Sequence, residues 1–208
     1  MKVLLINGSP HKNGCTNAAL THVAGALQED GIETEIFWIG TKPVRGCLGC
    51  GKCSELGKCA FDDDVCNQIV AKLDEIDGIV LGSPVFWAGP NGALKAVLDR
   101  VFMCGGKKLA GKAGAAVASA RRAGTTATLD VLNKYFTFFH MPQAGSCYWP
   151  MVHGRNNTPE DVEQDIEGVA IMQQLGHCMA YMIKAQAAAK EAGVEPTLIA
   201  KPQYNYVH

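Results

Sequence analysis

The chain has 208 residues, of which 48% are hydrophobic and 19% are charged, a composition typical of a soluble globular protein. This length predicts one domain that can bury a core of its own without stabilising disulfides or metal ions. The net charge of −1 gives no support to a nucleic-acid or membrane partner, and we expect neither.

The N-terminal segment MKVLLINGSP contains an apolar run, Val3 to Ile6, which the sequence Gly-Ser-Pro stops. This run is too short for the core of a signal peptide, and no later segment approaches transmembrane length. We therefore expect a cytoplasmic protein. Because thiols stay reduced in that compartment, the nine cysteines favour metal binding or redox chemistry over a disulfide framework.

Apolar runs and segments with helical spacing alternate along the chain. Asp64 is a candidate N-cap, and Thr158, Pro159 and Asp161 have the pattern of a capping box at the last helix. In chain order, the predicted strands are 2–7, 33–40, the first part of 78–90, 112–119 and 144–149, and the predicted helices begin near residues 15, 64, 91, 127 and 159.

Five strands that alternate with five helices predict an α/β protein with a parallel sheet covered on both faces. In such a sheet, ligands bind beyond the carboxyl ends of the strands, near the point where strand order reverses. The loops after the first, third and fourth strands are therefore the candidate site. We predict a single domain over 1–208, with a cysteine-rich loop at 45–61 and a C-terminal helix from about residue 159.

The first loop, GSPHKNGCTN at 8–17, is neither a Walker A loop nor a G-x-G-x-x-G turn. Its hydroxyl and amide side chains lead straight into a helix, an arrangement that suits a phosphate monoester. The alternative is a turn that only joins the strand to the helix.

The second loop, 82–92, carries the adjacent aromatic residues Phe86 and Trp87. They predict either a wall for a planar ring or a hydrophobic plug under the loop. The third loop, 118–130, carries the paired cations Arg121 and Arg122 at the end of a buried strand. They predict either a solvated surface or a fixed charge for an electron-rich ring or a phosphorylated nucleotide.

Together the three loops resemble the NADPH-dependent FMN reductase branch of the flavodoxin-like superfamily. The stretch SPVFWAGPNGALKAVLDR is similar to the isoalloxazine loop and following helix of that family, and GSPHKNGCTN resembles its phosphate loop. The resemblance implies a doubly wound, flavodoxin-like sheet of five parallel strands in the order 2-1-3-4-5. It also implies FMN as the cofactor and NAD(P)H as a co-substrate.

The same resemblance assigns residues to the parts of the flavin. The third loop departs from the family pattern, because SARRAGTTAT stands where relatives often carry a Gly-rich stretch, and the nucleotide preference stays open. The implied phosphate contacts are Ser9, His11, Gly14, Cys15, Thr16 and Asn17, the implied ring contacts are Pro84, Val85, Phe86 and Trp87, and the implied third-loop contacts are Ser119, Arg121, Arg122 and Gly124.

Four of the cysteines lie within RGCLGCGKCSELGKC, 45–59, with the spacing C-x2-C-x2-C-x5-C. Zinc sites usually join two separated C-x2-C pairs, so this spacing favours a [4Fe–4S] cluster, with a reduced cysteine loop of another role as the alternative. Interspersed glycines let the backbone wrap tightly, and Lys52 and Lys58 would offset thiolate charge. The candidate metal ligands are Cys47, Cys50, Cys53 and Cys59.

The cysteine motif, followed by the Asp pair of FDDDV, also resembles the iron–sulfur flavoproteins. This resemblance implies an oxidoreductase that passes electrons between a donor, NAD(P)H or ferredoxin, and a small acceptor. A homo-dimer or homo-tetramer is expected for this fold, and no catalytic residue is assigned. Three alternatives stay open: a cluster-free NAD(P)H-dependent FMN or quinone reductase, a non-enzymatic flavodoxin-like electron carrier, and a redox-sensing or metal-binding module with a vestigial flavin site.

Several other residues carry separate predictions. Cys15 at a helix N-terminus predicts a lowered pKa and a reactive thiol, or else a residue that acts through its backbone N–H. Tyr148 and Trp149 end the predicted fifth strand and are expected to pack in the core, with a position at the edge of the active site as the alternative. The three aspartates 62–64 are expected to complement a helix rather than bind an ion. The cysteines expected as small buried hydrophobic residues are Cys66, Cys104, Cys147 and Cys178.

Overall fold

The computed structural model describes residues 1–199, so residues 200–208 of the predicted domain lie outside the described residues. Strands and helices alternate over most of the chain. The strands are β1 Lys2–Asn7, β2 Glu33–Trp38, β3 Gly78–Phe86, β4 Gly89–Pro90, β5 Ala113–Ala120 and β6 Met151–His153. The helices are α1 Cys15–Glu29, α2 Cys53–Leu56, α3 Cys66–Lys72, α4 Gly92–Leu109, α5 Thr125–Phe138, α6 Pro159–Glu163 and α7 Ile166–Glu191.

The sheet has the order β2-β1-β3-β5-β6, and neighbouring strands along this path run parallel. The two-residue strand β4 pairs antiparallel with the end of β3, outside that path. The predicted parallel α/β sheet is therefore confirmed. The predicted five strands in the order 2-1-3-4-5 are corrected, because residues 1–199 form six strands, with β4 outside the parallel path. The additional strand arises because β3 extends beyond its pairing with β5 and turns back on itself as a hairpin.

β1 illustrates how the core forms on both faces of the sheet. Val3, Leu4, Leu5 and Ile6 are all fully buried. Because side chains alternate across a strand, Leu4 and Ile6 pack with α3, α4 and α5, while Val3 and Leu5 pack with α1 and α7. Burial of each side chain contributes about 1.5–3 kcal/mol, which fixes β1 and therefore the start of the loop that follows it.

The last strand of the sheet lies later in the chain than predicted. β6 pairs with the end of β5, whereas the predicted strand 144–149 is irregular. Gln143 makes a bridge to β5, and the chain then leaves the sheet. The hydroxyl of Ser146 donates to the carbonyl of Ile171 in α7 at 2.7 Å, which ties this segment to a helix instead of a strand.

Tyr148 and Trp149 lie in that irregular segment and are 52% and 55% exposed, so the prediction of core packing is wrong. Their rings contact each other edge to face, with centroids 4.7 Å apart. Cys147 beside them is exposed, contrary to expectation, whereas Cys66 is fully buried as predicted. Cys178 is half-buried on α7.

The C-terminal helical region consists of α6 and α7, which are separated at Asp165. Asp165 starts α7, because its side chain accepts the amide of Gly168 at 3.0 Å. The predicted capping box is wrong: within the described chain the Thr158 side chain makes no capping hydrogen bond. Asp161 instead accepts from the backbone and the side chain of Asn156. None of the described helices is long and apolar enough to cross a membrane.

Candidate functional site

The first loop follows β1 and is held by the buried side chain of Asn7. The Asn7 carboxamide donates to the carbonyl of Lys12 at 3.1 Å and to Asn17 Oδ1 at 3.2 Å, and it accepts the amide of Ser9 at 3.0 Å. Ser9 Oγ in turn accepts the amide of His11 at 3.1 Å. These contacts fix the loop without a ligand. Asn7 is not among the predicted site residues, because in the sequence it is only the last residue of an apolar strand.

α1 begins directly after this loop, with Gly14 at the N-cap. Glycine has no side-chain acceptor, and no side chain of residues 1–199 caps this helix, so the amides of Cys15, Thr16 and Asn17 in the first turn are left for a ligand or water. These amides and the helix dipole together favour an anion. The backbone of this turn could therefore bind an anion, while the side chains of Cys15 and Thr16 make other contacts.

Thr16 and Ser119 connect the first loop to the third. Their hydroxyl groups form a hydrogen bond of 2.7 Å, and both residues are buried. The two residues are 103 positions apart in sequence, and parallel pairing brings the ends of their elements together. The hydroxyls therefore brace the two loops against each other beneath the predicted site.

The surroundings of the Cys15 side chain argue against a reactive thiol. It is buried, and its Sγ donates to the carbonyl of Thr158 at 3.5 Å. Burial and, secondly, the charge of Asp161 raise the pKa of Cys15. The predicted lowering of its pKa by the helix N-terminus is therefore wrong, because desolvation outweighs the dipole.

The second loop is a tight hairpin between β3 and β4. Phe86 pairs with Gly89 across it, and the two residues at the turn, Trp87 and Ala88, have φ angles of 52° and 56°. Positive φ at both central positions is the geometry of a type I′ turn, which bulky residues rarely adopt. Trp87 is fully exposed and Phe86 is 46% exposed. The plug interpretation is therefore wrong for Trp87.

The base of this hairpin is buried and hydrogen-bonded. Pro84 is buried and Val85 is half-buried. The Ser83 hydroxyl donates to the carbonyl of Pro84 at 2.8 Å and accepts the amide of Asn91 at 2.9 Å. The Asn91 side chain caps α4. The exposed aromatic residues thus stand on a rigid base.

Gly124 allows the third loop to pack on this hairpin. Its φ of 93° favours glycine, and a Cβ at this position would lie 2.8 Å from both Ala88 Cα and Val85 Cγ1. Arg121 and Arg122 precede it, are both exposed, and make no ion pair within the described chain. They are therefore available to an anionic ligand at the ends of the strands.

A fourth segment, which follows β6, also reaches this edge of the sheet. The His153 ring lies 3.2 Å from the Arg122 carbonyl, and its backbone amide donates to Asp165 at 2.7 Å. A Cβ at Gly14 would lie 3.1 Å from the carbonyl of Asn157. This segment is not part of the predicted site, because the last strand was predicted at 144–149 and not at β6.

The four candidate cysteines line one cavity of about 120 Å³, together with Cys104 of α4. Cys47 and Cys50 are exposed, Cys53 is half-buried and Cys59 is buried. The soft thiol donors suit an iron–sulfur group. Within residues 1–199, however, no three His, Cys, Asp or Glu side chains are already arranged around one metal position.

The backbone of the cysteine loop bends as its glycines predict. Gly49, Gly51 and Gly57 have φ angles of 62°, 72° and 65°, a region that favours glycine. Lys52 and Lys58 are exposed on the same loop. The loop therefore turns tightly enough to direct several cysteines into one cavity.

Cys59 at the base of the cavity has a distinct electrostatic environment. Burial alone would raise the pKa of Cys59, but hydrogen bonds from the Phe61 backbone and from Arg100 outweigh burial and lower it. Burial raises the pKa of the neighbouring thiol of Cys66 to about 12, and it raises the pKa of Cys104 as well. Cys59 is thus the buried thiol of this group that hydrogen bonds favour as a thiolate.

The three aspartates after the loop are all used in protein contacts. Asp63 pairs with Arg45 at 2.7 Å, and Asp62 accepts from Asn67 at 3.1 Å. Asp64 accepts the amide of Cys66 at 3.0 Å, although Val65 occupies the N-cap of α3. These contacts assign the aspartates to loop and helix structure.

Comparison with known proteins defines the class. The family described as NADPH-dependent FMN reductase matches residues 1–156. An iron–sulfur flavoprotein of Methanocaldococcus jannaschii is 36% identical over 191 residues, which cover 88% of this chain and 98% of that protein. An iron–sulfur flavoprotein of Methanosarcina thermophila is 30% identical over 149 residues, 70% of this chain and 78% of that protein.

Among solved structures, a WrbA-like flavodoxin from Agrobacterium tumefaciens has a TM-score of 0.60 at 15% identity, covering 88% of this chain and 96% of that one. At that identity it shows the fold alone, which is flavodoxin-like as predicted. The fold and the matches define a flavoprotein oxidoreductase. The chain belongs to the NADPH-dependent FMN reductase family and to the iron–sulfur flavoproteins.

Proposed function

We propose that this protein binds FMN at the strand ends and a [4Fe–4S] cluster in the cysteine loop, and passes electrons between NAD(P)H or ferredoxin and a small acceptor. The observation that carries the proposal is the cavity lined by Cys47, Cys50, Cys53 and Cys59 on a chain of the FMN reductase family. When bound, the flavin supplies two-electron chemistry and the cluster supplies one-electron chemistry.

The FMN phosphate would bind at the first loop. The available amides of Cys15, Thr16 and Asn17 lie in the first turn of α1, directly after Gly14 at the N-cap. His11 is exposed on the same loop and supplies a side chain at its rim. Ser9, whose hydroxyl accepts the amide of His11, helps to hold the loop that leads into this turn.

The isoalloxazine ring would lie between the second and third loops. Phe86 and Trp87 offer exposed aromatic surface beside the rigid backbone of Pro84 and Val85. Aromatic rings prefer offset or edge contacts with other rings, and such contacts exclude water from one side of a flavin. The third-loop contacts proposed from the family are Ser119, Arg121, Arg122 and Gly124.

The cluster would use the four cysteines of the loop. Cys59 supplies a buried sulfur at the base, and the exposed Cys47 and Cys50 supply sulfurs at the mouth. Lys52 and Lys58 would offset the negative charge of a thiolate-bound group.

We place the protein in the cytoplasm, as a dimer or tetramer of identical chains.

Turnover measurements test this function. Anaerobic protein loaded with FMN and iron should oxidise NADH or NADPH with ferredoxin or a quinone as the acceptor. Cys59→Ser should lose most ferredoxin-linked turnover and keep its flavin, because only the cysteine cavity is altered. Cys147→Ser, which changes an exposed cysteine outside the cavity, is the matched control. Zero turnover of the loaded wild type with every donor and acceptor would contradict the proposal.

A second candidate is a cluster-free NAD(P)H-dependent FMN or quinone reductase. The observation that favours it is the exposure of Cys47 and Cys50, together with the lack of a preformed three-residue metal site among the described residues. This candidate predicts that Cys59→Ser and the wild type have equal quinone turnover and that neither retains iron.

A further inference from the structure

We infer that Arg100 is the positioning residue of the cysteine loop: it holds the sulfur of Cys59 at the base of the cavity and sets the reduction potential of the group bound there. This inference rests on the proposed cluster. Arg100 lies on α4, and its side chain is 1% exposed. Nothing in the loop sequence itself points to this contact, because Cys59 and Arg100 are 41 positions apart.

All five N–H donors of the Arg100 guanidinium are engaged. Nε and Nη2 each donate to Cys59 Sγ at 3.3 Å, and Nη2 also donates to the Phe61 carbonyl at 3.1 Å. Nη1 donates to the Arg45 carbonyl at 3.3 Å and to the Asp64 carboxylate. Two of the five bonds therefore converge on one sulfur.

The remaining bonds join the two ends of the cysteine loop. Arg45 precedes the first cysteine, whereas Phe61 and Asp64 follow the last one. Because the guanidinium is planar and rigid, it fixes these partners relative to one another. A lysine has a single ammonium and cannot reproduce two parallel bonds to one sulfur together with three other contacts.

The direction of the effect follows from charge. Hydrogen bonds to the sulfurs of an iron–sulfur group stabilise added negative charge, and therefore favour its reduced form. Asp64, which is 3% exposed, offsets the charge of Arg100 itself. The two N–H bonds to Cys59 thus raise the reduction potential of the bound group relative to a chain without them.

The test compares Arg100→Lys with the control Arg45→Lys. The control weakens an exposed ion pair in the same loop and leaves the Cys59 contacts in place. In metal-free protein, thiol alkylation followed by mass spectrometry reports the labelling rate of each cysteine. Because Cys59 is only 8% exposed, access to its sulfur limits labelling, and release of the sulfur outweighs the loss of the bonds that favour the thiolate. We therefore expect at least tenfold faster labelling of Cys59 in Arg100→Lys, with Cys47 and Cys50 unchanged, and no such change in the control.

In iron-loaded protein, a redox titration followed by electron paramagnetic resonance gives the midpoint potential. We expect Arg100→Lys to shift the reduction equilibrium tenfold or more toward the oxidised form, which for one electron is about 59 mV more negative. Unchanged Cys59 labelling overturns the inference. Faster labelling with an unchanged potential also overturns it, because a residue that only packs the loop would produce that result.

The two proposals fail in distinguishable ways. If the wild type retains no iron, the cluster proposal fails, and Cys59 labelling alone decides whether Arg100 positions this sulfur. If Arg100→Lys does not fold, Asp64→Asn replaces it, because this change removes the counter-charge that orients the guanidinium. It should speed Cys59 labelling by a smaller factor than Arg100→Lys does, and an unchanged labelling rate would contradict the inference.

Discussion

The strand-end site and the cysteine loop lie on the same chain but are held in different ways. At the strand ends, every loop is tied to another loop: Thr16 to Ser119, and Gly124 to the hairpin at Ala88. The cysteine loop is instead held by contacts from α4, and the buried Arg100 makes the main ones. Its outer half, around Cys47 and Cys50, is exposed.

This difference predicts how each site responds to its ligand. Under the proposed function, the strand-end loops are already held in place and would need little rearrangement to bind a flavin. The outer cysteines would still have to approach a metal group, and metal binding would then contribute to the order of the loop. Substitutions at the strand ends should therefore affect flavin retention and global stability, while substitutions near Arg100 should affect iron retention.

The largest effect is expected from Gly124→Ala. The substitution places a Cβ at a φ of 93° and 2.8 Å from the backbone of Ala88, at a cost of about 2–4 kcal/mol. We expect a large loss of unfolding free energy and at least a tenfold loss of FMN affinity, measured by denaturation and flavin fluorescence. Gly111→Ala has a φ of 77° and no neighbour within 4 Å, so it should lose some stability and no FMN affinity. Equal FMN loss in both variants would contradict the packing role of Gly124.

Thr16→Val is expected to have the next largest effect. The change leaves the Ser119 hydroxyl buried without its 2.7 Å partner, which costs about 1–3 kcal/mol. The double variant Thr16→Val/Ser119→Ala should recover most of this loss, because both polar groups are then removed. Urea denaturation of all four proteins measures the coupling, and strictly additive losses would argue against the brace.

Trp87→Ala should weaken FMN binding while leaving the unfolding free energy nearly unchanged. The indole is fully exposed, so its removal should change the unfolding free energy by less than about 0.5 kcal/mol. A lost ring contact of about 0.5–1.5 kcal/mol would weaken FMN binding roughly twofold to tenfold. Trp149→Ala removes another exposed tryptophan and should leave FMN affinity unchanged. An unaltered affinity in Trp87→Ala would exclude the aromatic wall.

The smallest effect on the two sites is expected from Glu35→Gln, a substitution on the edge strand β2. Hydrogen bonds from Lys72 and Lys2 hold the pKa of Glu35 below its ordinary value of 4.5. Since the folded-state pKa is lowered, the stabilisation is present above that ordinary value and is lost as the pH falls through the folded-state pKa. Glu35→Gln should therefore cost up to about 1 kcal/mol at pH 7 and almost nothing at low pH, with iron and FMN retention unchanged.

Much of the fold followed from periodicity. Apolar runs predicted β1, β3 and β5 because strands in a parallel sheet are buried on both faces, and the loops after them follow directly. The last strand was misplaced, because the apolar letters of 144–149 occupy an irregular segment tied to α7 through Ser146. Tertiary contacts decide such a short edge strand, and a single sequence contains little information about them.

The candidate sites, like the fold, could be predicted from the sequence only in part. The cysteine spacing predicted four ligands of one iron–sulfur cluster; Cys47, Cys50, Cys53 and Cys59 line one cavity, and their role as ligands stays a prediction. Asn7 and Arg100 were missed because their partners lie in other elements or are backbone groups. The lowered pKa predicted for Cys15 failed because helix position alone takes no account of burial.

Iron and sulfide analysis of anaerobically purified protein, measured with bound FMN, tests the central claim most directly. About four iron atoms and four sulfides per chain are expected, with the content falling sharply in Cys59→Ser and not in Cys147→Ser. FMN should be retained in all three proteins, because the strand-end site is built separately. Less than about one iron per chain in the wild type, with FMN bound, would contradict the account and leave a cluster-free flavin reductase.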